Sequence, residues 1–210
     1  MNDVITDYDD IRPKLANGDI VLFRGKGIMS RAILWFCSIF SKFKPITFSH
    51  IGFIVIDKDR VMLCESTTLR YKNTADISYT KRGVRLVPLS QLVIMYPGEI
   101  CIRQLTCVRT DKMLLDLGLF VAHNLNKPYE QHLTELMGSA MNNNWYKGDD
   151  DDSLFCSELV AGLYKQWGLL PANVPADHYS PEDFTDNGVV DTAMFTAGSG
   201  AELEPRIRIK

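Results

Sequence analysis

The sequence of 210 residues lacks the paired cysteines that a disulfide framework or a zinc site would need. Its five cysteines are an odd number, and none belongs to a CxxC pair or to a Cys/His cluster with zinc-ligand spacing. This pattern is typical of reduced thiols in a cytosol-like compartment, and we expect neither a metal nor a cofactor. A chain of this length can bury a large core without such crosslinks. The cysteines are Cys37, Cys64, Cys101, Cys107 and Cys156.

An excess of basic charge, an export signal and a membrane span are also missing from the sequence. Lysine and arginine total 23 against 26 acidic residues, which argues against a nucleic-acid-binding protein. Residues 1–10 are acidic and do not resemble a signal peptide. The most apolar stretch, Ala32–Phe40, is far shorter than the roughly 20 residues of a spanning helix. We therefore expect a cytoplasmic protein.

The order of the predicted elements favours an α+β domain, because the strands come first and the helices follow rather than alternating with them. We expect an N-terminal extension over residues 1–17, one domain over 18–190 and a tail over 191–210, loosely held from Ala197. The strand predictions are Gly18–Arg24, Ser49–Ile56, Val61–Ser66, Gly83–Pro88 and Glu99–Leu105. The helix predictions are Ala32–Phe43, Asp111–Leu125, Leu133–Met141, Ser153–Trp167 and a short helix after Ser180.

The helix predicted over Ala32–Phe43 allows two interpretations. Its apolar residues recur at helical spacing, which favours a helix packed on the core or lining a cleft. The flanking cations Arg31, Lys42 and Lys44 leave peripheral lipid contact through residues 32–43 as the alternative.

Among the cysteines, Cys156 is the candidate nucleophile. It lies in the first turn of the predicted helix Ser153–Trp167, where the partial positive charge of the helix end favours a thiolate. A lone cysteine near a helix start is often structural, so a structural role stays the alternative. The nearby acidic run Asp149–Asp152 would oppose a thiolate at close range. We expect that run to be a solvated loop that favours cationic substrates.

A nucleophilic cysteine needs a histidine base and a polar group to orient it. His50 opens a predicted strand, which would place its ring at the rim of a sheet. If Lys58 and Asp59 form a two-residue turn, Gly52 pairs with Glu65. Because side chains alternate along a strand, His50 and Glu65 then share one sheet face as diagonal neighbours.

The same register sends Cys64 to the opposite face and removes it as a nucleophile. Gly52, beside His50, leaves room for close approach at the site.

In this order along the chain, GDIVLFR, SHIGFIV, LCES, FCSELV and SPEDF resemble the circularly permuted papain-like hydrolases. These form the permuted branch of the NlpC-type cell-wall peptidase superfamily, and the similarity is greatest to its YiiX-like proteins. The resemblance runs from about Gly18 to Phe184. It implies a permuted papain-like domain, in which an antiparallel sheet of about five strands packs against the cysteine-bearing helix.

The resemblance also implies site residues: Cys156 as nucleophile, His50 as base and Glu65 as the group that orients His50. Tyr129, in a Lys-Pro-Tyr segment similar to one in the family, would help the backbone N–H of Cys156 to bind the oxyanion. The implied activity is that of a cysteine amidase or peptidase, with a peptidoglycan stem peptide or a lysine-linked amide as substrate.

Two other functions stay open. A lipid acyltransferase or thioesterase of the lecithin:retinol acyltransferase-like type would use a similar site. Its cysteine motif is of the Asn-Cys-Glu-His type, however, whereas this chain has Phe155-Cys156-Ser157-Glu158. A binding or structural module on the same fold would need no catalysis at all.

Overall fold

The central feature of the fold is an antiparallel sheet of six strands in the order β4-β3-β2-β1-β5-β6. The computed structural model describes residues 4–25, 47–68, 82–128, 155–186, 188–191, 195 and 199–210. The strands are β1 (Ile20–Arg24), β2 (His50–Asp57), β3 (Arg60–Thr67), β4 (Gly83–Pro88), β5 (Glu99–Arg103) and β6 (Ile207–Arg208). The α+β class predicted from the sequence is confirmed.

Four α-helices lie in the described parts of the chain. They are α1 (Tyr8–Ile11), α2 (Leu89–Met95), α3 (Asp111–Asn124) and α4 (Cys156–Gln166). Thr110 caps α3 by accepting a hydrogen bond from the N–H of Met113. Gly168, just beyond α4, has a φ of +71°, as expected for a glycine that ends a helix. The segment after Ser180 forms a 3-10 helix, Pro181–Phe184, rather than an α-helix.

The hairpin of β2 and β3 has the register predicted from its turn. Asp57 pairs with Arg60, and Gly52 pairs with Glu65. Lys58 in the turn has a positive φ, which the two-residue connection requires. Side chains on the two strands therefore alternate between the faces in the order that the sequence predicted.

The C-terminal residues correct one prediction. The tail was expected to be loosely held from Ala197, but Ile207 pairs with Ile102 and Arg208 with Cys101 to add a sixth strand. The expected sheet of about five strands was therefore one strand short. A two-residue strand leaves too little periodicity in the sequence to be recognised.

The sheet is covered on both faces by apolar side chains. The face toward α4 packs Ile51, Phe53 and Cys64 in one cluster with the helix residues Leu159, Val160 and Leu163. The other face packs Phe23, Leu63 and Val87 with residues of α1 and α2, among them Ile11 and Leu92. This second cluster lies on the same face of the sheet as the side chains of His50 and Glu65.

Arg103, at the end of β5, ties the C-terminal region to the sheet. Its side chain is 2% exposed. The guanidinium donates to the backbone carbonyls of Phe184, Thr185, Leu203 and Glu204. It also donates from Nη1 and Nη2 to Asp191, at 3.0 and 2.8 Å. The backbone at residues 184–185 and at residues 203–204 is thus hydrogen-bonded to the same buried cation.

Several predictions fall on residues outside the described ranges. They concern the helices Ala32–Phe43 and Leu133–Met141, the residues Cys37 and Tyr129, and the acidic run Asp149–Asp152.

Replacing Arg103 tests its role in holding the C-terminal region. Arg103→Leu leaves buried carbonyls and Asp191 without their donor, so the free energy of unfolding should fall by about 3–5 kcal/mol. Urea unfolding at neutral pH measures the change. Arg60→Leu is the matched control, since Arg60 pairs with Asp57 in an exposed contact worth at most about 1 kcal/mol. Equal losses in the two variants would contradict the structural role of Arg103.

Candidate active site

His50 is held in place by the chain that leads into β2. The carboxylate of Glu182, in the 3-10 helix Pro181–Phe184, accepts hydrogen bonds from the N–H groups of Thr47 and Phe48 at 2.7 and 3.4 Å. The N–H of Ser49 donates to the carbonyl of Phe23 at 3.0 Å. The backbone just before His50 is thereby attached both to the sheet and to the SPEDF segment, which the sequence singled out without a role.

The imidazole of His50 meets Glu65 across the hairpin. His50 Nε2 lies 2.6 Å from Glu65 Oε2, and both side chains are buried. The ring of Phe23 packs against the imidazole with ring centroids 5.3 Å apart. The pairing predicted from the hairpin register is thus present in the structure, and packing limits the rotation of the ring.

Cys156 lies in the first turn of α4, as the sequence predicted, but it is the first residue of that helix rather than the fourth. The N–H of Phe155, immediately before the helix, donates to Glu158 Oε2 at 3.2 Å and so fixes the first turn. Cys156 lies close enough to His50 to raise the pKa of the imidazole. Since Glu65 occupies Nε2, the other ring nitrogen, Nδ1, is the one left to face the thiol. The structure therefore brings Cys156, His50 and Glu65 together.

Burial and hydrogen bonding act in opposite directions on the two central groups. Burial alone lowers the pKa of His50, but Cys156 and Glu65 outweigh it and raise the pKa to about 10. Burial alone raises the pKa of Glu65, but His50 and Arg85 outweigh it and hold that pKa below its usual value. At neutral pH the imidazole is accordingly protonated and the carboxylate ionised.

Arg85, on β4, belongs to the same buried group and was missed by the sequence analysis. It lies directly opposite Glu65 in the β3–β4 register. Its Nε and Nη2 lie 2.9 and 2.7 Å from Glu65 Oε1. The available signal was an arginine in the middle of the otherwise apolar run GVRLVP, which points to a buried charge with a partner.

The other described cysteines differ from Cys156 in their surroundings. Cys64 and Cys101 are buried in the core beside α4, and burial raises the pKa of both thiols. Cys107 is partly buried, and burial raises its pKa as well. These three cysteines pack as small apolar side chains in or against the core.

Gly52 allows the close contact between β2 and β3 beneath the site. A Cβ atom there would lie 2.7 Å from the carbonyl oxygen of Cys64 and 3.2 Å from Glu65 Cβ. Both distances are shorter than normal carbon contacts, so any larger residue would displace the strand that carries Glu65.

The described part of the chain contains no group of three or more His, Cys, Asp or Glu side chains that could hold a metal ion. In the same ranges, no helix combines the length and apolarity that crossing a bilayer requires.

No protein-family model matches this sequence, and no curated protein matches it either. Among solved structures, the chain is similar to the metalloprotein YiiX of Escherichia coli O157:H7, with 20% sequence identity and a TM-score of 0.46. The alignment covers 72% of this chain and 65% of that one, so the chain spans less than two thirds of the length of that structure.

The titration of His50 tests the electrostatics of the site. The imidazole should stay protonated through neutral pH and titrate near pH 10. Cys156→Ser removes one of the two groups that favour the charged ring, so the midpoint should fall. Nitrogen chemical shifts of the imidazole measure both midpoints, with His50→Gln to assign the signal. A wild-type midpoint at or below 6.5 would contradict the assigned geometry.

Gly52→Ala tests the close packing under the site. The added methyl group should lower the free energy of unfolding by about 1–3 kcal/mol and lower the His50 titration midpoint by displacing Glu65. Gly118→Ala, on an exposed face of α3 with nothing near the new methyl, is the control. It should be neutral or stabilising by up to about 1 kcal/mol. If both variants behave alike, Gly52 has no steric role.

Proposed function

We propose that this protein is a cysteine hydrolase, an amidase or peptidase that works through a thioester intermediate. The observation that carries the proposal is a buried arrangement in which Cys156 lies beside His50 and His50 contacts Glu65. A thiol at a helix start, a histidine beside it and a carboxylate behind the histidine are the three parts that nucleophilic catalysis by cysteine needs. The resemblance of the motifs to permuted papain-like hydrolases supports the same assignment.

In the proposed reaction, the proton of the Cys156 thiol is already on His50, and the Cys156 thiolate attacks the carbonyl carbon of an amide. The carbon–nitrogen bond then breaks, and His50 gives its proton to the departing amine. The acyl group remains on the sulfur as a thioester. Neutral His50 next takes a proton from water, whose oxygen attacks the thioester. The acid is released, and the Cys156 thiolate and the protonated His50 are restored.

The raised pKa of His50 suits this sequence of steps. A protonated imidazole can donate to the leaving amine only if its proton is not lost to solvent beforehand, and Glu65 keeps it on the ring. The carboxylate also fixes which ring nitrogen faces the thiol, which is the role of the third member in such sites.

We assign the oxyanion site to the start of α4. The backbone N–H groups of the first helical turn have no partner within the helix, and the Cys156 N–H is one of them. The N-cap residue Phe155 has no side-chain acceptor with which to occupy those donors. Tyr129, a second donor in this proposal, lies outside the described residues. Such preorganised donors often contribute most to the lowering of the barrier.

We propose a small peptide amide as substrate, either a stem peptide or a lysine-linked bond. This substrate class follows the motif resemblance. Acyl transfer from a lipid requires the same nucleophile, so the two substrate classes are separated by assay.

Alkylation with iodoacetamide near pH 7, mapped by peptide mass spectrometry, tests the nucleophile. Cys156 should react faster than a free thiol, and His50→Ala should slow it by roughly a hundredfold or more. Cys107 in the same sample is the internal reference, because burial raises the pKa of its thiol and it has no histidine partner at the site. The proposal fails if Cys156 reacts no faster than a free thiol and ignores the loss of His50.

Turnover of a dipeptide amide and of a short-chain lipid ester by the same preparation separates the substrate classes. We expect cleavage of the amide, lost in Cys156→Ser. Cleavage of the ester alone would assign the protein to lipid chemistry. Failure of both substrates, in a protein whose Cys156 is also unreactive, would indicate a binding module.

A further inference from the structure

We propose that Arg85 is a positioning residue of the site, acting through Glu65 to keep the carboxylate ionised and aimed at His50. This inference rests on the proposed hydrolase function and extends it by a fourth residue. Arg85 touches neither the thiol nor any reacting atom in the proposed reaction. Its effect reaches Cys156 only by way of Glu65 and His50.

The two oxygens of the Glu65 carboxylate have different partners. Two nitrogens of the guanidinium, Nε and Nη2, donate to Glu65 Oε1, at 2.9 and 2.7 Å. The other oxygen, Oε2, is left for His50 Nε2 at 2.6 Å. With one oxygen held by a rigid two-pronged donor, the carboxylate plane cannot turn without losing hydrogen bonds. The orientation of the imidazole is therefore determined by β4 as well as by β3.

The charged side chains of Glu65 and Arg85 are both buried. Glu65 and Arg85 are each 2% exposed, so neither charge has water as an alternative partner. An ionised carboxylate in the interior is costly unless it is paired. His50 alone carries a full positive charge only while both ring nitrogens are protonated, and in the proposed reaction Nδ1 gives its proton to the leaving amine. Arg85 cannot give up its proton, so it stabilises the anion without competing for that proton.

The charges of the four buried groups Cys156, His50, Glu65 and Arg85 balance one another. The described groups that face Glu65 are His50 from β2 and Arg85 from β4, and Cys156 from α4 faces His50. When the thiol proton has moved to His50, two negative groups alternate with two positive groups and the set is neutral. Without Arg85 the same state would carry a net negative charge in the interior, which disfavours the thiolate.

The expected consequence is a change in the pH dependence of Cys156 reactivity. In Arg85→Gln, the pKa of Glu65 rises because its permanent cation is gone. As the pH is lowered, Glu65 then takes up a proton earlier and ceases to support the charged imidazole. The acid limb of the alkylation rate should move to higher pH by about one unit, a tenfold change in proton affinity.

The test is the rate of Cys156 alkylation by iodoacetamide from pH 4 to 9 in four proteins: the wild type, Arg85→Gln, Glu65→Gln and the double variant. We expect Arg85→Gln to shift the acid limb to higher pH and to slow the reaction by about tenfold at pH values on that limb. In the Glu65→Gln background the same change should have no further effect, because the group through which Arg85 acts is already absent.

A purely structural role for Arg85 predicts something different. It would lower the thermal midpoint, leave the acid limb in place and slow the reaction by the same factor whether or not Glu65 is present. Either that result or wild-type behaviour of Arg85→Gln overturns the proposal.

If Arg85→Gln does not fold, Arg85→Lys replaces it. It should keep the acid limb, since the charge remains, but slow the reaction, since one ammonium group cannot fix the carboxylate plane as the guanidinium does. Wild-type rates in Arg85→Lys would overturn the proposal. If Cys156 is alkylated fast in the wild type and at the same rate in the Arg85 variants, only the role of Arg85 is refuted. A slow wild-type Cys156 refutes the hydrolase function itself.

Discussion

The buried carboxylate of Glu65 constrains the rest of the structure. It lies on the middle strand of three, and its two oxygens are held from the two sides, by His50 on β2 and Arg85 on β4. Because an unpaired carboxylate in the interior would cost several kcal/mol, the three strands must keep the register that supplies both partners. A slip of any one of these strands by one residue would turn its side chain toward the opposite face. Stability and the geometry of the site therefore depend on the same contacts.

The site also depends on segments far apart in the sequence. Glu182 holds the backbone ahead of His50, and α4 brings Cys156 to the imidazole. Arg103 in turn fixes the carbonyls of Phe184, the last residue of the 3-10 helix that carries Glu182, and of Thr185, which follows it. The last strand, β6, completes the sheet beside Arg103. The C-terminal region thus supports the position of His50 through an unbroken series of hydrogen-bonded contacts.

The part of the site that could be predicted from the sequence is the part governed by local rules. The turn at Lys58 and Asp59 determines the β2–β3 register, and alternation then places His50 and Glu65 on one face. The placement of Cys156 in the first turn of a helix follows from helix periodicity and a glycine stop, although α4 begins at Cys156 rather than at the predicted Ser153.

Arg85 could not be placed in the same way, because residues 68–82 separate β3 from β4 and no short turn determines their register. The role of Glu182 was hidden for a similar reason, since its partners are backbone N–H groups more than a hundred residues earlier in the chain. The sixth strand has only two residues and is specified by its neighbours rather than by its own pattern.

The central claim is that Cys156 forms a covalent acyl intermediate with the help of His50. Trapping that intermediate is the most direct measurement: the protein is mixed with an activated peptide ester, quenched in acid and mapped by mass spectrometry. We predict an acyl adduct on Cys156 that hydroxylamine removes. The adduct should be absent in Cys156→Ser and sharply reduced in His50→Ala. An adduct on another residue, or equal labelling of Cys156 with and without His50, would contradict the central claim.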